Sequence, residues 1–310
     1  MRSDLSVIYD MTKNCPWNCA ICCMGATPDR DRCGDELTLG EKMQVVENLA
    51  EANQIRKVHV DFSGGEIFTD LDNVRVVEYA AKLLGRENVG ISTSGYRLDD
   101  AMAKRLSGCI SDCEMTMDTV PGTGYPLRPD GYASAAAKAV PFLKKYGITT
   151  GIQTVLAHSN CNAGNLQALY EWLCLHEVDA WSILRFYPSG RGAAYPEERI
   201  GKEEEAWAVG FITEMGKANG SVSKPKIDFH YTMKGHGKYS EECRCVKKSI
   251  GVMPDGEVTA CFWAVDAETG IIDSKYRLGN LKEERLTDML RGGKAAYWLD
   301  CHHTCGLGAA

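Results

Sequence analysis

Apolar residues recur along the first two-thirds of the chain in two alternating rhythms. Short strand-like runs occur at LSVIYDM (5–11), KVHVDF (57–62), NVGIST (88–93), SDCEMTMD (111–118), GITTGIQTVL (147–156) and DAWSILRFY (179–187). Between them, 3.6-residue patterns predict helices near 39–53, 71–84, 99–107, 131–146 and 163–177. In the first of these, Leu39, Met43, Val46 and Ala50 share one face, and Thr38 with Glu41 has capping-box spacing. Six strands separated by helices predict an α/β fold with a parallel sheet, because parallel neighbours need crossover connections. Such a sheet can curl into a partial barrel, with sites gathered at the carboxyl ends of the strands.

After about residue 200 the rhythm changes. Residues 201–219 read as a helix and SVSKPK (221–226) as a linker. From 243 onward there are five cysteines, short turns and one helix near 283–291. A core domain over 1–220 and a small appendage over 221–310 are expected.

Composition narrows the function. With 44% hydrophobic and 25% charged residues, the 310-residue chain is an ordinary globular sequence. No apolar run reaches 18 residues, so no membrane span is expected. The first residues lack a signal-peptide pattern, which makes a cytoplasmic location the default expectation. The net charge of −7, with no dense basic cluster, argues against a nucleic-acid partner. Fourteen cysteines are many, and in a reducing compartment clustered cysteines point to metal binding or catalysis rather than disulfides.

Placement decides between those readings. Cys15, Cys19 and Cys22 form C-x3-C-x2-C directly after the first strand. Thiolates are the usual iron–sulfur ligands, and three of them on a [4Fe-4S] cube leave one iron open to a small molecule. A structural zinc site needs four closed ligands, and Cys23, adjacent to Cys22, is awkwardly placed to be the fourth. After the second strand comes Ser63-Gly64-Gly65-Glu66. Glycines there permit close backbone approach to a ligand, and the carboxylate can accept from an ammonium group.

The two motifs in this order resemble the radical S-adenosylmethionine (SAM) superfamily. The resemblance implies a partial (β/α)6 TIM-like barrel with a small C-terminal iron–sulfur domain. It also implies a cluster on Cys15, Cys19 and Cys22 whose open iron binds SAM, with Gly64, Gly65 and Glu66 holding the SAM amino group. One electron from the cluster would break a carbon–sulfur bond, and the 5′-deoxyadenosyl radical would abstract a substrate hydrogen. Ile21 stands where many members have an aromatic residue. Ser92, Thr93 and Ser94 at the end of the third strand, with Ser94 foremost, and Asp118 at the end of the fourth, are further candidates for SAM contacts. So is Arg185 or Arg191 in SILRFYPSGRG.

The C-terminal cysteines Cys245-x10-Gly256-x4-Cys261, then Cys301 and Cys305, resemble the auxiliary-cluster appendages known as SPASM and twitch. The implied ligands of a second [4Fe-4S] cluster are Cys245, Cys261, Cys301 and Cys305, with Cys243, His302 or His303 as substitutes. The final C-x3-C gap departs from the two-residue gap of the short form, and a zinc site is the alternative. Cys33, Cys109, Cys113, Cys161 and Cys174 read mostly as buried small hydrophobes. Cys243 is the candidate hydrogen-atom donor to a substrate radical.

The expected cofactors are therefore two [4Fe-4S] clusters and SAM, and the expected partners a substrate and an external electron donor such as flavodoxin or ferredoxin. A ribosomally made peptide is the leading substrate, crosslinked or epimerised. The alternatives are oxidation or epimerisation of a small molecule such as an amino sugar, and a non-catalytic electron-transfer protein. A first strand opening near residue 5 leaves no N-terminal peptide-recognition domain ahead of it, so a leader peptide is expected to dock elsewhere.

Overall fold

The computed structural model describes residues 4–218, 225–230, 233, 243–264 and 272–300. The six expected strands are β1 (Leu5–Asp10), β2 (Val58–Ser63), β3 (Val89–Thr93), β4 (Asp112–Thr116), β5 (Thr149–Leu156) and β6 (Ala180–Arg185). The helices between them are α1 (Leu39–Asn53), α2 (Leu71–Leu84), α3 (Asp100–Leu106), α4 (Tyr132–Lys145) and α5 (Ala163–Leu175), followed by α6 (Lys202–Ala218). The capping box forms: Thr38 accepts from the Glu41 amide while Glu41 accepts from the Thr38 amide.

The sheet runs on past the expected boundary at 220. Lys226–Phe229, at whose start a linker was expected, is β7, paired parallel to β6. Within the appendage, β8 (Ser249–Val252) pairs parallel to β1, and β9 (Glu257–Thr259) and β10 (Arg277–Asn280) extend that edge antiparallel. One sheet of ten strands results, ordered β10-β9-β8-β1-β2-β3-β4-β5-β6-β7. The appendage is also tied to the core by backbone: Leu37 N–H donates to Pro254 O, and the Arg56 guanidinium donates to the carbonyls of Val246 and Lys247. Two helices follow, α7 (Leu286–Arg291) and α8 (Gly293–Asp300).

That sheet curls. Laid flat, β6 and β9 would stand about 34 Å apart, seven strand spacings. Yet Tyr187, just past β6, and Trp263, just past β9, have ring centroids 5.5 Å apart. His230, just past β7, joins them at 6.4–6.5 Å. The β9 end therefore reaches across the open side of the barrel.

Period-two alternation then separates two faces. The convex face carries Leu5, Val7, Val60, Phe62, Ile91, Met115 and Trp181, all at most 1% exposed, into one core with the helices. The concave face carries polar side chains at its centre, among them Asp61, Ser92, Glu114, Gln153 and Ser182. Of the remaining cysteines, Cys33, Cys113, Cys161 and Cys174 are buried, as expected of small hydrophobes, and Cys109 is partly buried.

Candidate active site

The first cysteine loop leaves β1 at the barrel mouth and is braced by backbone. Cys15 N–H donates to Thr27 O and Thr27 N–H to Lys13 O, closing the loop at its base. The turn after β2 packs directly on it: Gly65 N–H donates to Thr12 O at 2.6 Å and Glu66 N–H to Asn14 O at 2.9 Å. No Cβ fits there. One on Gly64, at φ +128°, would stand 2.6 Å from Thr12 O, and one on Gly65 would overlap Asn14 O.

A third segment clamps the loop from the other side. Arg191 donates from Nε to Cys19 O at 2.9 Å and from Nη1 to Ala26 O at 2.5 Å, and its own N–H donates to Cys22 O. Of the two arginines weighed for this stretch, Arg191 thus serves the cysteine loop, and Arg185 pairs with Glu205 of α6, Nη2 to Oε2 2.5 Å.

Cys15 and Cys19 are buried and Cys22 half-buried. Burial pushes the Cys15 thiol up to about 12, with Cys19 and Cys22 near enough to add repulsion. Burial also raises Cys19, and the Arg128 guanidinium opposes it by charge and hydrogen bond. Among the described residues no three His, Cys, Asp or Glu side chains gather tightly enough to hold one metal ion. Three thiols on one loop can each bind a different iron of a cubane, whereas a structural zinc wants four ligands on one ion.

Glu66 anchors the ends of β2 and β3. Its carboxylate accepts from Thr93 Oγ1 at 2.7 Å, from the Ser94 amide at 2.9 Å and from the Ser94 hydroxyl. Burial raises its pKa, and these hydrogen bonds pull it back. Ser94 Oγ also accepts from Trp17 Nε1 at 2.7 Å, and Trp17 stands edge-on to Tyr96 and Tyr132. Ser92 instead faces the lumen and donates to Asp61 at 2.7 Å. Asp118 is buried, accepting from Arg128 Nε at 2.6 Å and from the Val155 amide at 2.8 Å. Arg128 lies over the Tyr132 ring and beside Cys19, a position that no local motif signals.

At the second site Cys243, Cys245 and Cys261 lie together. Hydrogen bonds shared with Cys243 and Cys261, then burial, push the Cys245 thiol far up, and the bond from Cys245 lowers Cys261. Gly256, at φ +86°, makes the turn between β8 and β9. Tyr276, close enough to all three thiols to feel their charge, stacks on Trp298 of α8 at 4.8 Å. Cys301, His302, His303 and Cys305 lie outside the described residues.

Comparisons with known proteins agree with this layout. The family model for the radical SAM superfamily matches residues 9–164, and an iron–sulfur cluster-binding domain, SPASM, matches 243–306. Among solved structures, Streptococcus suis SuiB bound to S-adenosylmethionine is similar at TM-score 0.71 and 13% identity, covering 99% of this chain and 71% of that one. SuiB is also matched bound to its precursor peptide SuiA. A structure of anSMEcpe with AdoMet and the Cp18Cys peptide aligns at TM-score 0.68 and 16% identity, covering 95% and 82%. BtrN in complex with AdoMet and 2-DOIA aligns at TM-score 0.51 and 13% identity, covering 96% and 87%. No helix among the described residues is long and apolar enough to cross a membrane.

Proposed function

The chain belongs to the radical SAM superfamily and carries a SPASM iron–sulfur domain, and from that premise we propose that it modifies a ribosomally made peptide, by crosslinking it or epimerising an α-carbon. The observation that carries this reading is the whole-length likeness, appendage included, to two proteins solved with peptides bound, SuiB and anSMEcpe. One structure holding 2-DOIA favours a second reading, a small-molecule substrate such as an amino sugar, but its likeness is weaker.

Cys15, Cys19 and Cys22 would hold the [4Fe-4S] cluster at the barrel mouth, and Cys245, Cys261, Cys301 and Cys305 a second one. When bound, the first cluster supplies the electron that cleaves SAM to the 5′-deoxyadenosyl radical, which takes a substrate hydrogen. The chain's own contribution is positioning. Arg191 and the Gly64–Gly65 turn hold the cysteine loop from two sides. Glu66 orders Thr93, Ser94 and, through Ser94, Trp17, which gives the SAM amino group and ribose a preset polar rim at the ends of β2 and β3. Asp118, held by Arg128, would complete that rim from β4. Just after Cys261, Trp263 packs against Phe262 and Tyr187, and these rings would help to keep water from the reacting atoms. Cys243 lies within the auxiliary site, where it would give a hydrogen atom to the substrate radical or serve as a ligand. An external donor such as flavodoxin or ferredoxin would supply the electron.

The test is mass spectrometry of anaerobic reactions in deuterated water, with the reconstituted, chemically reduced protein, SAM and any short peptide encoded beside its gene. Loss of two hydrogens means crosslinking, and gain of one deuterium at an α-carbon means epimerisation. The Cys15/Cys19/Cys22→Ala variant is the control. 5′-Deoxyadenosine with an unchanged peptide moves the substrate to small molecules, and intact SAM on a fully loaded cluster refutes the radical reading.

A further inference from the structure

The concave face of the barrel gathers carboxyl groups that the chemistry above does not use. In-register pairing aims Asp61 of β2 and Glu114 of β4 into the lumen, with Asp112 and Asp228 on the same face at the deeper and outer strands. Asp10 of β1 stands on that face too, one pair beyond Ile8 and Asp61.

Asp10 is fully buried, and neither of its carboxylate oxygens has a hydrogen-bond partner. The Ser63 hydroxyl and the Lys13 charge nearby only partly offset its burial and its repulsion from Asp61. Asp61 accepts from Ser92, and Glu114 accepts from Gln153 and from Ser182. Among the described residues, no Lys or Arg pairs with Asp10, Asp61 or Glu114; on the same face His59 Nε2 stands 4.0 Å from Asp112. Carboxyl groups held in the interior without a paired cation are costly to ionise, and Asp61, next to both Asp10 and Glu114, adds repulsion to each. A fold that keeps them leaves a place for a cation.

Two other features of the lumen have the same preference. Ile8, Val155 and Leu184 are half-buried on the concave face and offer apolar surface for a methylene stem. At the mouth, Tyr187, His230 and Trp263 form an aromatic wall, Trp263 tilted 31° to Tyr187 and His230 edge-on to both. Such walls attract cations through the ring quadrupole.

We propose that the lumen takes a cationic side chain of the substrate, a lysine or arginine of the modified peptide, with its charge against Asp10, Asp61 and Glu114 and its stem under the Tyr187–His230–Trp263 wall. The inference rests on the peptide reading above for the word peptide, and on the lumen alone for the charge.

The test is anaerobic calorimetry on the reconstituted full chain with SAM already saturating, so that the charges of SAM itself do not contribute. Four probes are compared: Gly-Gly-Lys-Gly-Gly, the same peptide with norleucine for lysine, n-pentylamine and n-pentanol. The lysine peptide should bind at least about tenfold tighter than its norleucine partner, the scale of a hydrogen bond to a charged group, and pentylamine should likewise exceed pentanol. Both advantages should vanish in the Asp61→Asn/Glu114→Gln double variant and persist in the exposed control Asp72→Asn. Asp10→Asn replaces the double variant if that fails to fold by circular dichroism. No preference for charge, no binding by any probe, or a preference that survives the lumen variants overturns the proposal. If pentylamine is preferred and neither peptide binds, the cation site stands and the peptide reading falls.

Discussion

The two faces of the barrel sheet are made by the same strands and answer to opposite demands. Within β2, Val58, Val60 and Phe62 have no exposed surface and pack under helices, while His59, Asp61 and Ser63 alternate with them into the lumen. The convex face is satisfied as it stands, since apolar burial needs no partner of particular charge. The concave face is not: burial pushes Asp61 up to about 8 and raises Glu114, with only neutral donors and other acids around them. The contrast shows apolar burial concentrated on one face and carboxyl groups that are costly to ionise on the other.

Substitutions on each face should therefore differ in kind as well as in size. Trp181→Ala, on the convex face, removes a fully buried ring that also donates to Thr154 Oγ1 at 2.9 Å. It should cost about 3–5 kcal/mol in urea unfolding, with the iron content of the remaining folded protein unchanged. Arg191→Met, at the mouth, removes two charged donors from the carbonyls of Cys19 and Ala26. A loss of about 1.5–3 kcal/mol is expected, together with a weaker electron paramagnetic resonance signal from the first cluster and an intact second one. Equal loss of both signals would mean that the clamp serves the whole fold.

Gly64→Ala forces a side chain into a backbone conformation reserved for glycine and against Thr12 O. It should cost about 1–3 kcal/mol and slow SAM cleavage more than it lowers stability. The effect of Asp61→Asn depends on pH and is smallest in acid. The folded state binds the Asp61 proton up to about pH 8, whereas the unfolded chain releases it near the ordinary value of 3.8. Stability from this group is thus present at low pH and is lost as pH rises between those two values. The melting temperature of Asp61→Asn relative to the parent should climb from pH 5 to pH 8; a flat difference would mean that a counter-charge already neutralises Asp61.

Much of this was legible along the chain. All six core strands and the helices between them lie within a few residues of the positions that periodicity marks, because each buries a regular face. The first cysteine site was equally legible, since three thiols on one loop and a Gly-Gly-Glu turn are local features. The strands β7 to β10 were not: they are four residues long or shorter, and too brief to show a period. Nor were Arg128, whose partner Asp118 lies 10 residues away, and the hold of Arg191 on the cysteine loop, 172 residues away at Cys19. Arg185 carries the same charge in the same stretch and turns to Glu205 instead.

The sequence by itself determined which residues repeat every two or every 3.6 positions, where the thiols cluster and which glycines bend the backbone, because these follow from covalent order and local sterics. Only the tertiary structure decided that the appendage's strands join the core sheet, that Trp263 meets Tyr187 across the opening, and that Asp10, Asp61 and Glu114 share the concave face with no Lys or Arg paired to them among the described residues. Those outcomes depend on how far the sheet curls, which is set by the sum of many packed contacts and written at no single position.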